Sequence, residues 1–323
     1  MGHRRELYVH CYRMLGSLSD AKDALQETLL AAWRGLAGFE QRSSLRAWLY
    51  RIATNCCIRL ASRRPRRILS WDHGPSWDPA GGDLGTPVEE RIFLDPLPHT
   101  GMDRDAPASS YGRREHVALA YVAALQHLTA NQRAVLIRRD VLSFTAAETA
   151  DMLDTSVPSV ASALQRARST IADRAPDAGE RLDSLTIGKR RAVDRWVAAW
   201  ERADVLSIVE LLAEDVRFTM PPLPAWFDGR GDVVRFIGDR VFATPWRLLP
   251  MTANGQPAIA CYQGVDGRVP PERPQRAACP RRPHRLDRGV PRPAGAAPRR
   301  PARRSRPILR APMSSEVPLS LNG

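Results

Sequence analysis

Between Thr145 and Arg168 the sequence leaves little choice of fold. Thr145 is followed three residues later by Glu148. At that spacing a hydroxyl and a carboxylate each satisfy the other residue's backbone N–H at a helix start. The apolar positions of this helix end at Leu153, and Asp154-Thr155-Ser156 leaves room only for a turn. Pro158 then stands in the first turn of a second helix, where its missing N–H removes no bond. Two short helices on a tight turn describe a helix-turn-helix. In the second helix Val157, Val160 and Leu164 face Ala150 and Leu153, while Ser159, Ser162 and Arg166 face away, with Gln165 at the flank and Arg168 one turn on. Arg and Gln suit base edges in a major groove, and Ser suits phosphates or bases. A helical hairpin with a solvated face has the same periodicity, but the order of cap, turn and proline favours the DNA reader. An apolar helix pair over 116–138, broken near Thr129-Ala130-Asn131, precedes it.

The N-terminal segment reads as two longer helices. Ser19 is a plausible cap with acids in the first turn, and Ala21, Leu25, Thr28/Leu29, Ala32 and Leu36 follow helical spacing up to Gly35 and Gly38. A second helix spans about Ser44 to Ser62, with a seam of Leu45, Leu49, Ile52 and Cys56 and Trp48 beside it. Its opposite side presents Arg46, Tyr50, Arg51, Thr54 and Asn55, and Pro65 stops it between Arg63-Arg64 and Arg66-Arg67. Aromatics that stack on unpaired bases beside arginines that follow phosphates suit single-stranded DNA. A packed Trp and Tyr with a solvated basic helix end is the plainer alternative.

The net charge of +13 does not decide between these readings. The last 56 residues carry 14 basic and 3 acidic residues, with 12 of the 27 prolines from Pro270 onward. This tail is expected to be disordered. Residues 1–67 carry 13 basic and 5 acidic residues, and the Pro-, Gly- and Asp-rich stretch 68–112 carries 2 and 8. The latter reads as a linker. Five cysteines without a C-x-x-C pair make neither a disulfide framework nor a zinc site. No metal or cofactor is expected, and no apolar run is long enough to span a membrane.

At this point the residues carry a resemblance. Asp20-Ala21-Lys22-Asp23-Ala24-Leu25-Gln26-Glu27-Thr28 through Trp33, then Phe39 and Ala47-Trp48-Leu49-Tyr50-Arg51-Ile52-Ala53-Thr54-Asn55, resemble region 2 of bacterial extracytoplasmic-function sigma factors. Leu128-Thr129-Ala130-Asn131-Gln132-Arg133-Ala134-Val135-Leu136 and the helix-turn-helix resemble region 4, in the expected order. The resemblance implies a non-enzymatic, cytoplasmic initiation protein whose partners are core RNA polymerase and promoter DNA. It implies a polymerase-docking surface at Asp20, Asp23, Gln26, Glu27 and Trp33. It implies −10 contacts from Arg42, Ser43, Ser44, Arg46, Trp48, Arg51, Asn55, Arg63 and Arg64. It implies −35 contacts from Ser159, Ser162, Gln165, Arg166 and Arg168. Asp154 stands where the family usually has a turn Gly, Arg59 where many relatives have Asp, and Ala161 and Ala163 where they have basic residues.

Beyond residue 187 the order of elements resembles a SnoaL-like domain of the NTF2-like α+β cone. Helices are expected over Ala192–Ala203, Asp204–Leu212 and Asp232–Phe242, strands over Val216–Met220, Trp246–Leu249 and Ala258–Tyr262, and a loop over 221–230. In that fold a helix-lined sheet encloses a pocket. Asp215 and Asp228 have no His beside them, so they read as surface acids, and the domain as a regulatory module rather than an enzyme. The expected architecture is mainly α. It comprises region 2 at 1–67, the linker at 68–112, region 4 at 113–175, an incomplete α+β domain at 187–267 and the tail at 268–323. Read one nucleotide later with free third bases, Gln275–Ala294 can be back-translated to a segment resembling the missing final strands, so a frame change is expected there. A duplex-binding regulator that does not join polymerase, and a small-molecule enzyme on the C-terminal domain, are the competing functions. The gene's nucleotide sequence decides the frame: a single-base shift should restore those strands, and none doing so would contradict the reading.

Overall fold

A computed structural model describes residues 3–40, 43–81, 84–88, 92–98, 119–174, 187–254, 256–264 and 308–309. Three helices open the chain: α1 (Arg4–Leu15), α2 (Leu18–Gly35) and α3 (Leu45–Ala61). Then come α4 (Leu119–Gln126), α5 (Ala130–Leu136) with a π-helical turn over Ile137–Val141, α6 (Ala146–Met152) and α7 (Val157–Arg174). The C-terminal part contains α8 (Ile187–Glu201), α9 (Val205–Leu211), β1 (Arg217–Thr219), β2 (Trp226–Asp228), α10 (Arg230–Asp239), β3 (Trp246–Ala253) and β4 (Gln256–Gln263). A two-residue strand β5 (Ile308–Leu309) pairs antiparallel with β4. The rest of the expected disordered tail from Arg268 lies outside the described residues.

Local rules explain the helix boundaries. α2 starts two residues earlier than the sequence suggested, because Ser17 rather than Ser19 is the cap and accepts from the Asp20 amide. α5 and α6 both open with reciprocal capping boxes, Thr129 with Gln132 and Thr145 with Glu148. Gly16, at φ 67°, ends α1 in the left-handed region. A Cβ there would stand 2.7 Å from Leu94 Cδ1, so the position also needs glycine to admit the linker.

Two hydrophobic cores form. The first runs without a break from Leu7 through Ala167, so the helices of both sigma-like segments share one core. This overturns one part of the sequence reading. Tyr50 and Thr54, assigned to the outward side of α3, are fully buried. The region-4 half covers that side: Tyr50 meets Phe144 edge-on at 5.8 Å, and Arg138 donates to the Tyr50 carbonyl. Thr54 and the buried His10 hydrogen-bond at 2.9 Å. Periodicity within one helix cannot register a surface contributed a hundred residues later.

The second core belongs to the C-terminal domain. The Trp196–Trp200, Trp200–Phe242, Phe218–Phe236 and Phe227–Phe236 ring contacts run through it. The expected loop over 221–230 contains β2, which pairs with β1. The two expected short strands are a longer hairpin, β3 paired with β4 from Trp246↔Gln263 to Ala253↔Gln256.

The linker is structured where it is described. Ile68 and Phe93 form a parallel bridge, and Asp95 accepts from the Leu18 amide. Trp77 donates its amide to Trp226, Trp226 returns its indole N–H to Gly74, and Val88 donates to Pro222. The β3–β4 turn then closes on the helices. Asn254, left-handed at φ 51°, accepts from the Leu97 amide and donates through Nδ2 to the Tyr12 hydroxyl. Tyr12 Oη in turn donates to the Asp95 carbonyl at 2.8 Å. One asparagine thus joins α1, the linker and the C-terminal sheet.

Asn254→Ala removes these bonds and places a poorer residue at positive φ. It should cost about 2–3 kcal/mol of unfolding free energy by denaturant titration. A loss under about 0.5 kcal/mol would show the junction to be unimportant.

Candidate nucleic-acid and polymerase interfaces

The outward face of α2 carries unsatisfied apolar surface. Asp23, Gln26 and Glu27 are exposed, Leu30 is 56% exposed and Trp33 79%. At 100° per residue they form one stripe. Leu29 and Leu36, placed on the buried seam by the sequence, are also exposed and widen it. Asp20 is not part of this face. It is 4% exposed and pairs with the buried Arg67, with Arg64 at 3.9 Å, as an internal anchor. The missed leucines had a signal: with Ala21, Leu25, Thr28 and Ala32 facing inward, an apolar Leu30 and Trp33 are in excess of what the core needs.

The α3 region separates into free and engaged groups. Ser43, Asn55, Arg63 and Arg64 are exposed, and Arg42 lies outside the described residues. Ser44 caps α3 and accepts from the Ala47 amide at 3.1 Å. Trp48 stacks on Phe39 with ring centroids 4.9 Å apart, over Gly35. Arg46 turns inward, bonding Glu6 and lying over the Tyr50 and Phe144 rings. Arg51 pairs at 2.8 Å with Asp154 of the helix-turn-helix. Two arginines assigned to DNA therefore face region 4 in this structure. The sequence pattern of α3 alone does not register that partner.

The helix-turn-helix has the expected form. Asp154 occupies the left-handed turn position at φ 49°. Val160, Leu164 and Ala167 are buried along α7, while Val157, expected inside, is 45% exposed. Ser159, Ser162, Gln165 and Arg166 are exposed together. Arg166 donates to Ser162 Oγ at 2.6 Å, which aligns the guanidinium along the helix face. Arg168 makes a bidentate pair with Asp140, at 2.9 and 2.7 Å. In the C-terminal domain Asp228 pairs with Arg217 at 3.3 Å across β1 and β2, and Asp215 is exposed.

Two guanidiniums lie at the junction of the halves. Arg133 of α5 has its five N–H groups met by the carbonyls of Leu125, Gln126, Leu128 and Met14 and by Gln126 Oε1. Burial pushes its pKa down to about 10, as it does that of Arg138. Arg138 Nε and Nη1 have no hydrogen-bond partner. His10, on α1 beneath them, is fully buried, and its pKa is held well below the usual histidine value, first by burial and then by Arg138, Arg13 and Arg46.

Comparisons place these features. Residues 1–67 match the family model for Sigma-70 region 2, residues 118–171 that for Sigma-70, region 4, and residues 193–280 that for a SnoaL-like domain. The chain is 46% identical over 267 residues to ECF RNA polymerase sigma factor SigG of Mycobacterium tuberculosis, covering 80% of this chain and 71% of that protein. It is 27% identical over 246 residues to ECF RNA polymerase sigma factor SigJ of the same organism, covering 72% and 69%. The crystal structure of M. tuberculosis SigJ superposes with a TM-score of 0.51 over 82% of this chain and 85% of that one, at 23% identity.

His10 is neutral when folded, so its contribution to stability is complete above about pH 6.5. It declines as pH falls toward the depressed folded pKa, because the unfolded chain then binds a proton that the folded chain does not. Unfolding free energy should fall by up to about 1.4 kcal/mol per pH unit from this residue below pH 6.5. A His10→Gln chain should be correspondingly flatter in denaturant titrations at pH 7.5, 6.5 and 5.5. Parallel profiles for the two chains would contradict the assignment.

Proposed function

The chain belongs to the extracytoplasmic-function sigma factors, and from that premise we propose which of its residues carry out initiation. As a sigma factor it binds core RNA polymerase and directs promoter recognition and transcription initiation. The observation that carries the residue assignment is Trp33, 79% exposed on a stripe with Leu30, Asp23, Gln26 and Glu27 that is exposed among the described residues. An exposed apolar stripe with a charged margin is the form of a docking surface. We assign core polymerase to it, with Trp33 as the anchor.

The melted −10 strand falls to Trp48 with Phe39, and to Ser43, Asn55, Arg63 and Arg64. Extruding a base costs stacking energy, and binding it against an indole offsets that cost. Arg46 and Arg51 join this surface only after Glu6, Phe144 and Asp154 release them. The −35 duplex falls to Ser159, Ser162, Gln165 and Arg166 on α7, with Arg168 reaching phosphate if Asp140 lets it go. The Arg51–Asp154 pair links the two reading surfaces to each other, so use of both on one promoter requires the halves to part. The closed arrangement is then a resting form of the free factor. The C-terminal domain, joined through the linker and Asn254, is a non-enzymatic module that sets how readily this happens.

Trp33→Ala should weaken core-polymerase binding at least tenfold in a pull-down titration while leaving the thermal midpoint within about 2 °C. Unchanged affinity would remove Trp33 from the interface. Arg166→Ala should weaken −35 duplex binding by about 1–3 kcal/mol and relax specificity at one base pair, whereas an equal loss on all sequences would make it a phosphate contact. Trp48→Ala should impair open-complex formation, followed by permanganate reactivity, more than duplex binding. A normal open complex from a stable Trp48→Ala chain would exclude the stacking role.

A further inference from the structure

A cleft of about 460 Å³ lies where the two helical halves meet, away from all three surfaces above apart from Arg64 at its edge. One wall is the end of α3 and the following strand-like segment, with Ile58, Arg64, Arg66 and Arg67; the other is Leu128, Asn131 and Arg133 of the α4–α5 junction. Its size is that of a small-molecule site. Four arginines and one carboxylate, Asp20, are its charged lining residues, so an excess of three positive charges faces one space.

Two of these arginines, Arg67 and Arg133, are buried, while Arg64 and Arg66 are exposed. Arg67 is 3% exposed; one terminal nitrogen is committed to Asp20, and the other, Nη1, is buried without a hydrogen-bond partner. Arg133 is buried with only neutral acceptors. Arg66 is exposed at the mouth, where His127 Nδ1 faces it at 3.2 Å. Asp20 neutralises Arg67 but leaves its Nη1 without an acceptor, and a buried polar group without one is costly until one meets it. Between the arginines the lining is mixed, with Leu15, Ile58 and Leu128 apolar and Ser62, Thr129 and Asn131 polar, which suits a ligand with a ring and hydrogen-bonding groups beside its charge.

We propose that this cleft binds a small polyphosphate-bearing ligand of the nucleotide class, with its phosphates on Arg64, Arg66 and Arg67. Because one wall comes from region 2 and the other from region 4, the site exists only while the halves are closed. A ligand there stabilises the closed form by mass action and opposes opening on a promoter. Binding in the cleft does not depend on the assignment of the three reading surfaces, whereas its effect on opening rests on that reading.

The test uses the full chain and inorganic tripolyphosphate as the probe. Isothermal calorimetry should give saturable one-to-one binding, and the same additions should raise the thermal midpoint. Arg66→Ala should weaken binding about tenfold, Arg66→Glu should abolish it, and Arg66→Lys should restore part of it, since a point charge replaces a fork. Arg66 is exposed, so these chains keep the wild-type fold, checked by their midpoint without probe. No saturable heat up to millimolar probe, or equal affinity in wild type and Arg66→Glu, overturns the proposal. A single-stranded oligonucleotide that raises the midpoint while tripolyphosphate does not would give the cleft to a DNA backbone and also overturn it.

Discussion

The guanidinium of Arg133 sits where everything in the helical part converges. It ties the loop between α4 and α5 to itself through Leu125, Gln126 and Leu128, and it reaches across to the Met14 carbonyl at the end of α1. That carbonyl is among the last of its helix and has no intrahelical partner to lose. A region-4 side chain thereby caps a region-2 helix. Arg138 also reaches across, one helical stretch later, to the Tyr50 carbonyl within α3. Five satisfied donors hold Arg133, but Arg138 leaves two buried nitrogens unmet. Each such group costs about 1–3 kcal/mol. The interface is specific through the first arginine and easily given up through the second.

In the proposed cycle, where the closed free factor opens on DNA, that balance sets the cost of opening. In the closed form Arg46 and Arg51 are held by Glu6 and Asp154, and Tyr50 and Thr54 are covered. The surfaces needed first, Trp33 on α2 and the Ser159–Arg166 face on α7, remain open. Polymerase can therefore dock before the halves separate. The linker does not run free between them: it is fastened to α1 through Asp95 and to the C-terminal domain through Trp77 and Val88. In the proposed opening, parting the halves would strain those bonds and so couple the C-terminal domain to promoter use.

Much of this was legible in the sequence because it is local. The capping box at Thr145, the turn at Asp154 and the split of α7 into Val160 and Leu164 inside against Ser162 and Arg166 outside depend on residues within a few positions of one another. The limits of legibility are just as physical. Asp20 has the look of an exposed first-turn acid, yet its partner Arg67 lies 47 residues away. Tyr50 and Arg51 look outward on a lone helix, yet the packing of Phe144 buries Tyr50 and a surface bond to Asp154 engages Arg51. Composition made the linker appear shapeless, since backbone bonds such as Trp77 to Trp226 leave no mark on residue type. Motif order carried the family, and long-range packing decided which motif residues are available.

Initiation as proposed for this chain turns on closure of the two helical halves and their separation on a promoter. Spin labels at Ser62 and Ser169, both exposed, measure that separation by pulsed dipolar spectroscopy. The free factor should give one short, narrow distance, and addition of core polymerase with promoter DNA should replace it with a longer one. A distance distribution that stays the same between the free factor and a transcriptionally active complex would contradict it.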